Sequence, residues 1–138
     1  MRLMGLDIGD KTIGVALSDP LGWTAQGLTT LRRGEEVVED ITRLRGLISD
    51  YQVEEVVVGL PKNMDGSLGP QAQKVLEFVS LLRETLPQPI HLWDERLSTV
   101  AAERVLLDAD LSRRRRKQVI DKMAAVMILQ GFLDSRGR

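Results

Sequence analysis

"RLMGLDIGDKTIGVALSD" occupies residues 2–19. Its two halves are apolar and rich in β-formers, with Gly9-Asp10-Lys11 between them. That is a hairpin pattern, with strands over 2–8 and 12–18. One residue breaks it. Asp7 is a carboxylate inside the first strand, where an apolar side chain belongs. It is either a strand-end residue that accepts from nearby amides or a group placed there for chemistry.

The rest of the chain supplies the layers that this hairpin needs. A weaker third strand is expected over Trp23–Leu31. Over 35–50 the period changes to helical, with Val37, Ile41, Leu44 and Ile48 on one face. Residues 55–61, Glu55-Val56-Val57-Val58-Gly59-Leu60-Pro61, suit a strand buried on both faces. Lys62–Gly69 is a loop with a turn at Asp65-Gly66. A second helix is expected over 71–86, with Ala72, Val75, Leu76, Val79, Leu82 and Leu86 on one face. A fifth strand follows over Pro89–Glu95. Ser98 or Thr99 can cap a helix to about Asp110. The run Arg113-Arg114-Arg115-Arg116-Lys117 then precedes a last helix to about Ser135.

The order β-β-β-α-β-α-β-α-α predicts one α/β domain over 1–138, a mixed sheet with helices on its faces. Helical crossovers make the first, fourth and fifth strands parallel. Their C-terminal ends share one edge, the edge that carries the site in open α/β sheets.

Composition excludes several chemistries. There is no cysteine, and His91 is the only histidine among 138 residues. Disulfide scaffolds, thiol nucleophiles and Cys/His zinc sites are therefore out. With 43% hydrophobic and 28% charged residues, the balance is that of a soluble globular domain. No apolar run reaches the ~18 residues of a membrane span, and the N-terminal segment lacks the pattern of a signal peptide. A cytoplasmic protein without membrane contact is expected. A net charge of −1 argues against an overall basic coat but leaves room for a local basic patch.

Two further acids could meet Asp7. Glu95 closes the fifth strand, on the same edge if the topology holds. Asp121 lies on the last helix with Ala124, Ala125 and Ile128 on its face, small enough for close approach to the sheet. Clustered carboxylates repel one another and raise one another's pKa, and a divalent cation relieves that penalty. Hard oxygen ligands suit Mg²⁺ or Mn²⁺. Two such ions about 3.5–4 Å apart can drive phosphodiester hydrolysis. If the fifth strand lies two places from the first, their axes are roughly 10 Å apart, two spacings of about 4.8 Å, and the strand between them is the one carrying Gly59. A glycine there is expected to leave open room for metal and phosphate. Asp94 takes the face opposite Glu95. Asp10 and Asp19 read as turn and strand-end residues.

Arginine suits bidentate phosphate contacts. Arg113, Arg114, Arg115, Arg116 and Lys117 are accordingly read as a clamp on a nucleic-acid backbone, with Lys11 and Lys62 adding contacts from loops on the same edge. Aromatic residues make up only 4%, so backbone and shape recognition are expected rather than base stacking. His91 and Trp93 share a strand face and read as packing residues.

"GLDIGDKTIGVALSD", "VVVGLPKNMDGS", "DERLSTVAAE" and "DKMAAVMILQGFLD" resemble the YqgF/RuvX family in order and spacing, from residue 3 to about 134. The resemblance implies an RNase H-like fold, with a five-stranded mixed sheet in order 3-2-1-4-5 and helices on both faces. Members of that family are described as nucleases maturing the 5′ end of the 16S ribosomal RNA precursor, and as Holliday junction resolvases related to RuvC. The resemblance implies catalytic and metal-holding roles for Asp7, Glu95 and Asp121. It implies a structured RNA precursor or branched DNA as partner, contact with ribosome-assembly intermediates, and a monomer or homodimer. Thr12 stands where many members carry a basic residue. RuvC-type enzymes place an acid at the end of the fourth strand, whereas this chain has Gly59-Leu60-Pro61.

Two other classes compete. An actin-like ATPase or sugar kinase shares the Asp-x-Gly strand–turn–strand pattern but encloses its nucleotide between two such domains, and 138 residues supply one. A non-catalytic RNA-binding or ribosome-assembly module would not need three acids.

Overall fold

The hairpin forms over its expected bounds, as β1 (Arg2–Ile8) and β2 (Thr12–Ser18). The structure, a computed structural model, describes residues 1–97 and 113–136, with 113–121 known through their backbone alone. The Gly9 N–H donates to the Thr12 carbonyl at 2.9 Å and closes the turn. β3 (Ala25–Arg32) pairs antiparallel with β2. It starts two residues later than expected for a local reason. Asp19 accepts the N–H groups of Trp23 and Thr24 at 2.6 and 2.9 Å and holds both in a turn. β4 (Val53–Leu60) lies parallel to β1, and β5 (Ile90–Asp94) parallel to β4. The sheet order is β3-β2-β1-β4-β5, as expected.

Helices α1 (Val37–Asp50) and α2 (Pro70–Thr85) follow the predicted periods. Proline suits the first position of α2, where its missing N–H would have had no helical partner. The two helices join Met4, Leu6, Ile8, Val56 and Val58 in the larger core. Helix α3 (Arg113–Ser135) covers the other face with Ala124, Ala125, Ile128, Leu129 and Leu133, against Leu3, Ala16 and Val57. The basic run does not precede this helix, contrary to the expectation from the sequence. It forms the first turns, because arginine and lysine are good helix formers and nothing between Arg113 and Val119 breaks a helix. The expected helix from Ser98 or Thr99 to Asp110 lies outside the described residues.

The direction of α3 is fixed by its neighbours. The Ala25 N–H donates to the Gln130 side chain at 2.9 Å. Two residues further along β3, a Cβ on Gly27 would lie 2.7 Å from Lys122 Cγ. Because β3 and β1 both run antiparallel to β2, α3 runs antiparallel to β1. The C-terminal end of β1 therefore meets the N-terminal half of α3.

The far end of α3 is tied down by a cluster. Glu55, buried near the start of β4, accepts two hydrogen bonds from Arg136 at 3.0 and 2.7 Å and one contact from His91 at 2.8 Å. The His91 ring stacks on Phe132 at 4.9 Å, and Arg136 lies over the same ring at 4.7 Å. His91 is thus a packing residue, as read from the sequence, but also a hydrogen-bond partner of Glu55. Among the described residues no helix is long and apolar enough to cross a membrane.

Candidate active site

Strand alternation sets the faces. Leu3 and Gly5 of β1 face α3, and Asp7 follows in the same parity. A Cβ on Gly5 would lie 2.7 Å from Leu129 Cβ and 2.9 Å from the Ala125 carbonyl oxygen. Helix and strand therefore approach as closely as a glycine permits. Asp7 sits two residues further on and is only 7% exposed. Its antiparallel partner on β2 is Gly14. On its other side the parallel register runs to Leu6↔Val58. Continued by one residue, it sets Asp7 level with Gly59. Two glycines thus flank the buried carboxylate, each about 4.8 Å away across the sheet.

Glu95 reaches this level from the fifth strand. β5 ends at Asp94, and Glu95 opens a short 3-10 turn, Glu95–Leu97. The turn carries Glu95 to the α3 side, where its Oε2 lies 3.2 Å from the Cβ position of Gly59. The intervening strand is thus bridged by the length of a glutamate side chain. Its chain neighbour takes the other face. Asp94 pairs across from Leu60, which faces α1 and α2. Its carboxylate is held below the usual range by the Arg96 guanidinium, against the opposing effect of burial, with further help from the Arg96 N–H and Lys62.

The space over Gly59 is not the open cavity expected from the sequence. Ile128 Cδ1 lies 2.4 Å from the Gly59 Cβ position and Cγ1 2.9 Å. The glycine makes room for the tip of a buried isoleucine of α3, with the Glu95 carboxylate beside it. Small size was read correctly, but close helix packing uses the space.

Asp121 stands on α3 one turn before Ala125, the residue whose carbonyl meets Gly5. A helical turn advances about 5.4 Å and two strand residues about 6.6 Å. With α3 antiparallel to β1, this backbone position comes level with Asp7. The side chains of Asp121 and of Arg113–Lys117 lie outside those described. Among the described residues, no three His, Cys, Asp or Glu side chains gather as a metal site.

Lys11, Lys62 and Asp10 lie on the same edge, whereas Asp19 lies at the opposite end of the sheet, beside the start of β1. Lys11 is exposed on the hairpin turn. Lys62 is half-buried, with Nζ 4.0 Å from Asp94 Oδ2. Asp10 is exposed and meets Lys74 at 3.3 Å, consistent with a turn residue. Asp19 organises the turn before β3, and hydrogen bonds to it, Thr24 N–H first, hold its carboxyl below the usual range.

Similarity to known proteins extends over nearly the whole chain. The RuvX family model, described as Holliday junction resolvase, matches residues 1–135. The chain belongs to the RuvX family. A relative from Moorella thermoacetica is 64% identical over 138 residues, covering 100% of this chain and 98% of its own. One from Desulforamulus reducens is 62% identical over 135 residues, covering 98% of each. Both carry the name "Putative pre-16S rRNA nuclease". Among solved structures, Thermus thermophilus RuvC in complex with a Holliday junction substrate aligns with TM-score 0.60 at 15% identity, over 99% of this chain and 96% of that one. The fowlpox virus Holliday junction resolvase aligns with TM-score 0.56 at 15% identity, over 98% and 99%. At such identity the likeness concerns fold. The RuvX-family chain has the RNase H-like architecture of these resolvases.

Proposed function

We propose that this chain is a divalent-metal-dependent nuclease that hydrolyses phosphodiester bonds in 5′-end processing of the 16S ribosomal RNA precursor. One observation carries the reading. The Glu95 carboxylate lies over Gly59, one strand from the buried Asp7, at the strand-end edge. Relatives above 60% identity carry the name "Putative pre-16S rRNA nuclease".

The donor set fits Mg²⁺ or Mn²⁺. It is all hard oxygen, and the one histidine is committed to Glu55 elsewhere in the fold. Asp7 and Asp121 would hold the metal, as one ion or a pair, and Glu95 would ligate it or orient water. Bound there, the metal supplies an activated water and charge stabilisation at the leaving oxygen. Arg113–Lys117, Lys11 and Lys62 would hold the phosphate backbone across the edge. The family description favours a second reading, resolution of branched DNA.

The test is cleavage of precursor ribosomal RNA, single-stranded RNA and four-way DNA junctions side by side, in Mg²⁺ and in Mn²⁺. Precursor RNA is expected to be cut, and Asp7→Asn to fold but lose the activity. Equal cleavage by Asp7→Asn would remove Asp7 from the site. Junction cleavage alone would favour the second reading. Binding without cleavage by the wild type would point to a non-catalytic module.

A further inference from the structure

Glu95 lies between two residues that are bonded to each other. Asp94 Oδ1 accepts the Arg96 N–H at 3.0 Å, which brackets Glu95 within one tight turn. The Arg96 side chain returns to the same carboxylate, with Nε 3.1 Å from both oxygens and Nη2 2.7 Å from Oδ2. Its remaining arm donates from Nη1 to the Met64 carbonyl at 3.3 Å. That nitrogen also lies 3.3 Å from the Cβ position of Gly66, whose φ of +89° suits glycine. One guanidinium thus ties the turn after β5 to the loop after β4. A planar fork of several donors serves the carboxylate bidentately and the carbonyl at once, in a fixed geometry. A lysine offers a point charge with no fixed plane.

We propose that Asp94 and Arg96 are positioning residues that hold the Glu95 carboxylate over Gly59 in the orientation needed to ligate a divalent cation. This rests on the proposed role of Glu95. The unit is made of neighbours in sequence, yet its partners lie on opposite faces. Asp94 and Arg96 lock the backbone on the α1–α2 side so that Glu95 projects on the α3 side. Groups that orient metal ligands typically change affinity 10–100-fold when removed.

Mn²⁺ binding to the intact protein, without nucleic acid, is read from the free-ion electron paramagnetic resonance signal. Glu95→Gln, Asp94→Asn, Arg96→Ala and Arg96→Lys are compared with the wild type. Melting temperature and the salt dependence of RNA binding are recorded for each. Both Arg96 variants and Asp94→Asn are expected to weaken Mn²⁺ binding at least 10-fold, with near-native melting and an unchanged salt slope. If Glu95→Gln weakens binding but Arg96→Lys and Asp94→Asn do not, the positioning role is wrong and the role of Glu95 stands. If Glu95→Gln itself leaves Mn²⁺ binding unchanged, the reading of Glu95 falls first. If Arg96→Ala lowers the salt slope with Mn²⁺ affinity intact, Arg96 is a phosphate contact and not a positioning residue.

Discussion

Arg33 joins Asp40 to the hairpin turn. Its Nε lies 2.9 Å from Asp40 Oδ2, and its Nη1 donates to the Gly9 carbonyl at 3.0 Å. Asp40 is 1% exposed on α1 and also accepts from Arg43 and from the Gly34 N–H, both at 2.8 Å. The turn that rims Asp7 is therefore braced from a helix on the opposite face of the sheet.

Removing the buried carboxylate leaves that brace without its acceptor. Breaking a buried pair on one side costs about 3–5 kcal/mol. Asp40→Ala should lose about 3 kcal/mol in urea denaturation. Part of Arg43 is solvated, so the lower end is expected. A loss under about 1 kcal/mol would mean that the cluster contributes little.

The same acid gives a pH signature. Burial pushes the Asp40 carboxyl up, but hydrogen bonds from Gly34, Arg33 and Arg43 together bring it below its ordinary value. Glu55 is lowered too, chiefly by Arg136, against burial and with help from His91. A folded pKa below the unfolded one adds stability that is complete above the unfolded value. Those values are about 3.9 for Asp and 4.3 for Glu. The contribution disappears as pH falls through the folded values. Wild type should thus exceed Asp40→Asn most above about pH 5, and the gap should close on acidification. Melting curves from pH 2 to 7 measure it, and a constant gap would contradict the sign.

The two packing glycines should differ. In Gly5→Ala the new methyl meets the backbone carbonyl of Ala125 as well as Leu129, and a helix backbone cannot step aside cheaply. In Gly59→Ala it meets mainly the tip of Ile128, a side chain that can rotate. Overpacking costs about 1–3 kcal/mol. Gly5→Ala should lie near the top of that range and Gly59→Ala near the bottom, by chemical denaturation. The reverse order would mean that α3 yields more easily than Ile128.

The arginine run is tested by salt. Each phosphate of a single-stranded partner that is no longer neutralised by an arginine should flatten the log–log salt dependence by roughly 0.7. Alanine at Arg113–Arg116 should weaken RNA binding and lower that slope in a KCl series. An unchanged slope would make the run an ordinary solvated helix start.

The sheet was legible because each strand announces itself locally. The hairpin has its glycine turn, and β4 is a continuous apolar run closed by Leu60-Pro61. The parallel sense of the first, fourth and fifth strands follows from the helical crossovers, whereas the strand order came with the family resemblance. Other features depend on long-range packing that local pattern does not carry. Gly59 looked like vacant space because nothing near it in sequence mentions Ile128, 69 positions away. Glu55 was not singled out because its partners, His91 and Arg136, come from β5 and the end of α3. Arg96 was not singled out, although its spacing two residues after Asp94 allows an Asx-type turn. That spacing is a signal that could have been read.

The placement of α3 also bears on the order in which the molecule is made. All five strands are complete by Asp94, yet among the described residues the face bearing Leu3, Ala16 and Val57 is covered by a helix that begins only at Arg113. The helix that covers it is anchored by Arg136. A growing chain therefore has its sheet and its first acid long before it has the helix that supplies the proposed third. An enzyme built this way would stay silent during its own synthesis and become competent only when its last turns seat.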